Sequence, residues 1–150
     1  MKSRVFLYVA LGLLLLIALG STWFFYQDDS QGPLQVFPAT INRDCAPWDG
    51  SAFTVSIPLH DRSSMAISIY RSPDLKLPAS FSFPDESMRD GIALLLLPVG
   101  TPEQLIGRVW FQRVEYGMAV EGRFRFRSES GEEFEGRFVA EWGDGITFCG

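Results

Sequence analysis

The chain holds one histidine, two cysteines and a stripe of arginines whose chemistry could go beyond packing. His60 stands beside Asp61, with Ser63 and Ser64 just downstream. Those are the side chains of a nucleophile, its base and an orienting acid. A catalytic triad, however, is assembled from separate elements, with the nucleophile on a rigid elbow. Near-contiguous residues in one polar segment lack that geometry, so the stretch reads as a solvated turn.

The acids offer two pairs, Asp44 with Asp49 and Glu141 with Asp144. A bond between Cys45 and Cys149 would draw them together, which is the raw material of a calcium site. Neither segment has the regular oxygen-ligand spacing of a calcium loop, and Asp-Gly steps are ordinary turn chemistry. Arg123, Arg125 and Arg127 alternate along one strand, as an anion-binding stripe would. Glu121, Glu133 and Glu135 fall within cross-strand reach on the same face. Opposite charges so placed form a solvated ladder, each pair contributing about 0.2–1 kcal/mol. No phosphate-cradling glycine loop, dinucleotide fingerprint or metal-binding helix motif occurs. Neither a cofactor, a metal nor an enzymatic activity is expected.

The two cysteines are Cys45 and Cys149. In an exported chain an even pair becomes a disulfide. Two cysteines and one distant His60 lack the closely spaced ligand pairs of a zinc site. Trp48 and Trp142, each a few residues from a cysteine, are expected to pack around the bond.

The elements that must position these residues read mostly as strands. Leu34–Ile41 is a first short strand, which Pro38 would confine to an edge. Phe53, Val55, Ile57 and Leu59 alternate with polar residues, as do Met65, Ile67 and Ile69, giving a hairpin turned at residues 60–64. Leu75–Leu77, Phe81–Phe83 and Ile92–Leu97 are further strand pieces. Thr101-Pro102-Glu103-Gln104 carries a helix-capping pattern, predicting one helical turn closed at Gly107. Val109–Glu115, Val120–Arg127 and Phe134–Trp142 complete the set. Ser128-Glu129-Ser130-Gly131 suits a three-residue loop with Gly131 in the left-handed conformation. That register pairs Ser128 with Glu132, Phe126 with Phe134, Arg127 with Glu133 and Arg125 with Glu135. It also sets Arg123 opposite Arg137, a repulsion that diagonal acids must relieve. The tetrapeptide Glu-Gly-Arg-Phe, at 121–124 and 135–138, marks two strands sharing an environment.

These segments predict an all-β domain, an antiparallel sandwich or small barrel of roughly seven to eight short strands. Phe124, Phe126, Phe134, Phe138, Trp110 and Trp142 would supply much of its core.

Ahead of that domain lies Val5–Tyr26, whose first sixteen residues, Val5–Gly20, carry no polar side chain beyond the hydroxyl of Tyr8. As a helix it spans roughly 33 Å, enough for a hydrocarbon core of about 30 Å. Trp23, Phe24, Phe25 and Tyr26 end it, where rings favour the membrane–water interface. The segment is read as an uncut anchor; a signal peptide cleaved before Ser21 is the competing reading. Residues 1–4 form a cytoplasmic tail, because Lys2 and Arg4 flank one end and Asp28 and Asp29 the other. Residues 27–41 are a linker and edge segment, and 42–150 the disulfide-closed domain.

Thirteen basic residues less Lys2 and Arg4, against eighteen acids, leave residues 27–150 near −7 with His60 neutral. That balance argues against a nucleic-acid or general anionic-lipid surface. The expected partners are the lipid bilayer, through residues 5–26, and another envelope protein. The sum is a single-pass membrane protein with its C-terminal domain periplasmic or extracellular. Its expected role is a non-catalytic binding or scaffolding module of the envelope. An apolar small-ligand carrier with a barrel-like cavity is the alternative, and a hydrolase with an unrecognised site the third.

Overall fold

Among the described residues, alternating apolar residues build nine strands in the computed structural model: β1 Val36–Cys45, β2 Ser51–Pro58, β3 Ser64–Ile69, β4 Ala79–Phe83, β5 Gly91–Leu96, β6 Glu103–Gln104, β7 Ile106–Arg113, β8 Val120–Arg127 and β9 Glu133–Trp142. The structure describes residues 34–73, 75, 78–85, 87, 89–145 and 147–149. The anchor 5–26, its ring cluster Trp23, Phe24, Phe25 and Tyr26, the tail 1–4 and residues 27–33 of the linker lie outside the described residues. So do most residues of the expected strand piece Leu75–Leu77. Among the described residues, no helix is long and apolar enough to cross a membrane.

All nine strands belong to one sheet, in the order β4-β7-β8-β9-β1-β2-β3-β5-β6. The sheet is mixed, because β1 and β9 run parallel while the other pairs are antiparallel. It curls into a half-barrel. The all-β class therefore holds, and the antiparallel sandwich or small barrel of seven to eight strands gives way to one curled mixed sheet of nine, half-way to a barrel. Period-2 alternation shows which side chains point inward. It does not show which strands pair or in which direction.

The first and last strands are central neighbours, which corrects the expectation that Pro38 keeps Leu34–Ile41 at an edge. The carbonyls of Gln35 and Ile41 accept from Arg137 and Gly143, both at 2.9 Å. Alternate residues from Gln35 to Ile41 thus direct their backbone toward β9, and Pro38 directs its nitrogen toward β2. Pairing with β2 begins only at Thr40, opposite Ser56. The missing N–H falls where no ladder bond is needed, so the proline rule is met locally inside a central strand.

The expected helical turn at Thr101–Gly107 is also replaced by strand. Glu103 and Gln104 pair with Leu95 and Leu94, and the N–H of Leu105 donates to Ala93 at 2.9 Å. Leu105 is fully buried, and pairing with the open edge of β5 outweighs a capping pattern worth about 1 kcal/mol. One residue later the chain is β7, whose Gly107–Phe111 pair with β4 and whose other side pairs with β8. β5 and β4 thus lie one after the other along Glu103–Phe111. This corner ties the two ends of the curled sheet together. Between β4 and β5 the chain folds around Asp85, whose carboxylate accepts from the N–H groups of Ser87, Arg89 and Asp90 and from the Ser87 hydroxyl. Those donors, led by Asp90, hold its pKa down at about 2.

The concave side is filled by rings. Phe111 meets Phe53 at 5.6 Å, Phe138 at 5.8 Å and Phe81 at 6.0 Å between centroids, mostly edge to face. Phe53 sits on β2 and Phe111 on β7, so the contact spans the hollow of the curl. Phe124, Phe126 and Phe138 are buried as expected and Phe134 is half-buried. Trp110 is not in the core. It is half-buried on the opposite, outer face, out of phase with Val109 and Phe111. Trp142, also half-buried, lies at the rim of the core.

The β8–β9 hairpin has the expected register, with Phe126 opposite Phe134, Arg125 opposite Glu135 and Arg127 opposite Glu133. Ser128 bonds Glu132, and Gly131 takes φ 91°. The repeated Glu-Gly-Arg-Phe gains a physical meaning here. In antiparallel register Gly122 stands opposite Phe138, and Phe124 opposite Gly136. Each glycine leaves room for a ring: that of Phe138 over Gly122, and that of Phe37 over Gly136. A side chain at 122 would meet both the Phe138 ring and the Trp110 carbonyl oxygen. Gly122→Val is therefore expected to cost about 1–3 kcal/mol in urea unfolding of the full chain, as overpacking does. An unchanged midpoint would mean that the ring does not need this space.

Candidate binding face

The constellations that could have been catalytic are not assembled. His60 lies exposed in a single 3-10 turn, His60–Arg62, that joins β2 to β3. The Ser63 hydroxyl donates to the His60 carbonyl at 2.9 Å, so it serves the turn's own backbone. The Asp44 carboxylate accepts from the Cys45 N–H at 2.8 Å and from the Thr54 hydroxyl at 2.9 Å. Among the described residues, no three His, Cys, Asp or Glu side chains are grouped so as to hold a metal ion.

Cys45 and Cys149 are brought to disulfide distance, with Cα atoms 5.5 Å apart across a sequence separation of 104. That spacing lies within the usual disulfide range. The parallel seam between β1 and β9 delivers them. Past Trp142 the chain continues beside β1, with Gly143 bonded to the Ile41 carbonyl and the Thr147 hydroxyl to that of Arg43, both at 2.9 Å. The expected tryptophan shield takes another form. Trp48, 54% exposed, packs edge-on against Tyr70 at 5.4 Å. Trp142 packs against Tyr116 at 5.2 Å and donates its indole N–H to the Glu115 carbonyl. Each ring's partner is a tyrosine, and Arg43 caps Tyr116 at 3.9 Å.

The outer face of β7, β8 and β9 concentrates the charge. Arg127 bonds Glu133 at 2.6 Å, and Arg125 lies 3.8 Å from Glu135. Arg127's hydrogen bond and charge hold the Glu133 carboxyl below its ordinary pKa. With side chains 64% and 63% exposed, the Arg127–Glu133 pair is screened by solvent and adds little to stability. Two rungs of the expected ladder are therefore present.

The third rung differs. Arg123 stands directly opposite Arg137. A ring stands on Arg123's other side: its guanidinium lies 4.7 Å from the centre of the Trp110 ring. Trp110 is Arg123's cross-strand partner on β7. On Trp110's own strand Arg108 lies 5.8 Å from the ring and donates from Nε to the Ser82 hydroxyl at 2.9 Å. Among the described residues, Arg108, Arg123 and Arg137 have no carboxylate at ion-pair distance. The sequence had a signal for this cluster. In Arg108-Val109-Trp110-Phe111, alternation sets Arg108 and Trp110 on one face and the two core residues on the other. Chemically, the face can attract an anion and rest a flat group beside a ring. It holds no activated nucleophile.

Comparison of the chain with family models, with curated proteins and with solved structures gives no match.

Removing the charge of Arg137 relieves a like-charge contact, so Arg137→Gln should leave urea stability unchanged or raise it by up to about 0.5 kcal/mol. A double-mutant cycle of Arg123→Gln with Trp110→Leu should return a coupling of about 0.5–1 kcal/mol. Zero coupling would show that the ring does not hold the guanidinium.

Proposed function

We propose that the chain is a membrane-anchored binding module of the cell envelope, non-catalytic, which presents the outer face of β7–β9 to its partner. In this reading Val5–Tyr26 spans the bilayer, with Trp23, Phe24, Phe25 and Tyr26 at the interface and Met1–Arg4 in the cytoplasm. The half-barrel then stands in an oxidising compartment, where Cys45 and Cys149 form a disulfide. Support for the address comes from the length and flanking charges of the apolar run and from the pairing of the chain's two cysteines.

The observation that carries the binding reading is the row of Arg137, Arg123 and Trp110 across β9, β8 and β7, with Arg108 beside the ring. Arginine and tryptophan are the residues that dominate binding energy at interfaces. Arginines with no carboxylate at ion-pair distance among the described residues, on an acidic domain, favour an anionic partner. The hollow of the curl, occupied by Phe53, Phe111, Phe138 and Phe81, favours binding on the outer surface over carriage of an apolar ligand inside.

A photo-crosslinking residue at Val139, exposed at 40% on the same face, tests the reading in the cells that make the protein. The expected result is a discrete adduct from Val139 that disappears with Trp110→Ala, and none from a probe at Val99 in the loop between β5 and β6. Adducts from Val99 alone, or Val139 adducts indifferent to Trp110, would count against this face.

A further inference from the structure

We propose that Arg123 and Arg137, with Arg108 and Trp110 beside them, bind a phosphate group carried by the ligand of the outer face. This rests on the outer face being the contact surface and names the chemistry it recognises. The contrast within one stripe is the starting point. Arg125 and Arg127 have Glu135 and Glu133 opposite them, whereas Arg123 has Arg137. Like charges directly opposite in a ladder destabilise it, with Cβ atoms only about 4.5–5.5 Å apart. An oxyanion between the two guanidiniums reverses the sign of that contact. The guanidinium fork matches phosphate oxygens in shape and in hydrogen-bond direction.

The site is also held in place. Trp110 rests under Arg123, and the Ser82 hydroxyl accepts from Nε of Arg108, with no other hydrogen bond to that guanidinium among the described residues. Three guanidiniums with no carboxylate at ion-pair distance among the described residues exceed what one carboxylate can neutralise. A phosphate monoester brings about −1.5 to −2 at neutral pH and suits them better. The acidic remainder of the domain repels an extended polyanion, which restricts the site to an isolated phosphate group rather than a nucleic-acid backbone.

The test uses the full-length chain in zwitterionic detergent micelles, melted in chloride and in inorganic phosphate at constant ionic strength and pH. The expected result is a saturable rise in Tm, about 3–8 °C at about ten dissociation constants. Arg123→Gln and Arg137→Gln should each weaken the response about tenfold or more. Arg137→Gln should melt no lower than the parent in chloride, and Arg113→Gln on the same strand as Trp110 should keep the full response. Nanodiscs separate the sources: anionic phospholipid that pre-empts the phosphate response points to a lipid headgroup, and a response that persists points to a soluble phosphate. Either outcome supports the site. No saturable rise, a rise that survives both glutamine variants, or stronger stabilisation by a polyglutamate peptide overturns it. A Trp110-dependent adduct at Val139 without any phosphate response would keep the contact surface and remove only the phosphate assignment.

Discussion

The pairing of β1 with β9 is the constraint on which the rest of the structure depends. It joins the first strand of the domain to the last, in parallel, from Val36 opposite Arg137 to Ile41 opposite Trp142. Without it the sheet divides into β4-β7-β8-β9 on one side and β1-β2-β3-β5-β6 on the other. Parallel pairing is slightly weaker per residue than antiparallel. Closing a loop of roughly 100 residues costs on the order of 4 kcal/mol in chain entropy. Cys45 and Cys149 stand at the downstream end of this seam. A bond between them removes a loop entropy of about the same size from the unfolded chain. Against a typical domain stability of about 5–15 kcal/mol, that is a large fraction.

The seam also shapes the candidate binding face. β9 is fixed on one side by β1 and on the other by β8, and β8 is fixed in turn by β7. Arg137, Arg123 and Arg108 thus project from three strands whose spacing is set by backbone hydrogen bonds. Beneath them, Phe138, Phe124 and Phe111 pack inward, and Gly122 lets the Phe138 ring close the layer. A rigid sheet loses little entropy when it binds, and this offsets part of the cost that flexible arginine side chains bring. The same face combines a repulsive pair, a ring and two exposed ion pairs on a domain of net negative charge.

What was legible in the sequence is what local chemistry decides. Ser128-Glu129-Ser130-Gly131 specifies a loop length and a left-handed glycine, and these fix the β8–β9 register down to each arginine's neighbour. The β2–β3 hairpin follows from alternation and a short polar turn in the same way. The pairing of Cys45 with Cys149 was legible because there are only two cysteines. Contacts between distant segments were not. Nothing near Val36 announces β9 as its partner, and Pro38 argues for an edge unless its nitrogen falls where β2 has not yet begun to pair. Thr101–Gln104 has the chemistry of a helix start, yet the edge of β5, contributed from upstream, claims it as strand. Trp110 faces outward because phase along the strand, not bulk, decides which side chain is buried. Its neighbours Val109 and Phe111 already marked the other face as the core.

Native-state hydrogen exchange on the full-length chain, comparing the parent with Cys45→Ser/Cys149→Ser, tests the central role of the seam most directly. If the seam holds the two halves together, the Arg137 and Gly143 amides lose protection in the variant. Those of β2–β3 and β7–β8 then fall with them by a similar amount, about 4 kcal/mol if chain entropy dominates. Loss confined to the tail beyond Trp142, with the β2–β3 and β7–β8 amides as protected as in the parent, would contradict it.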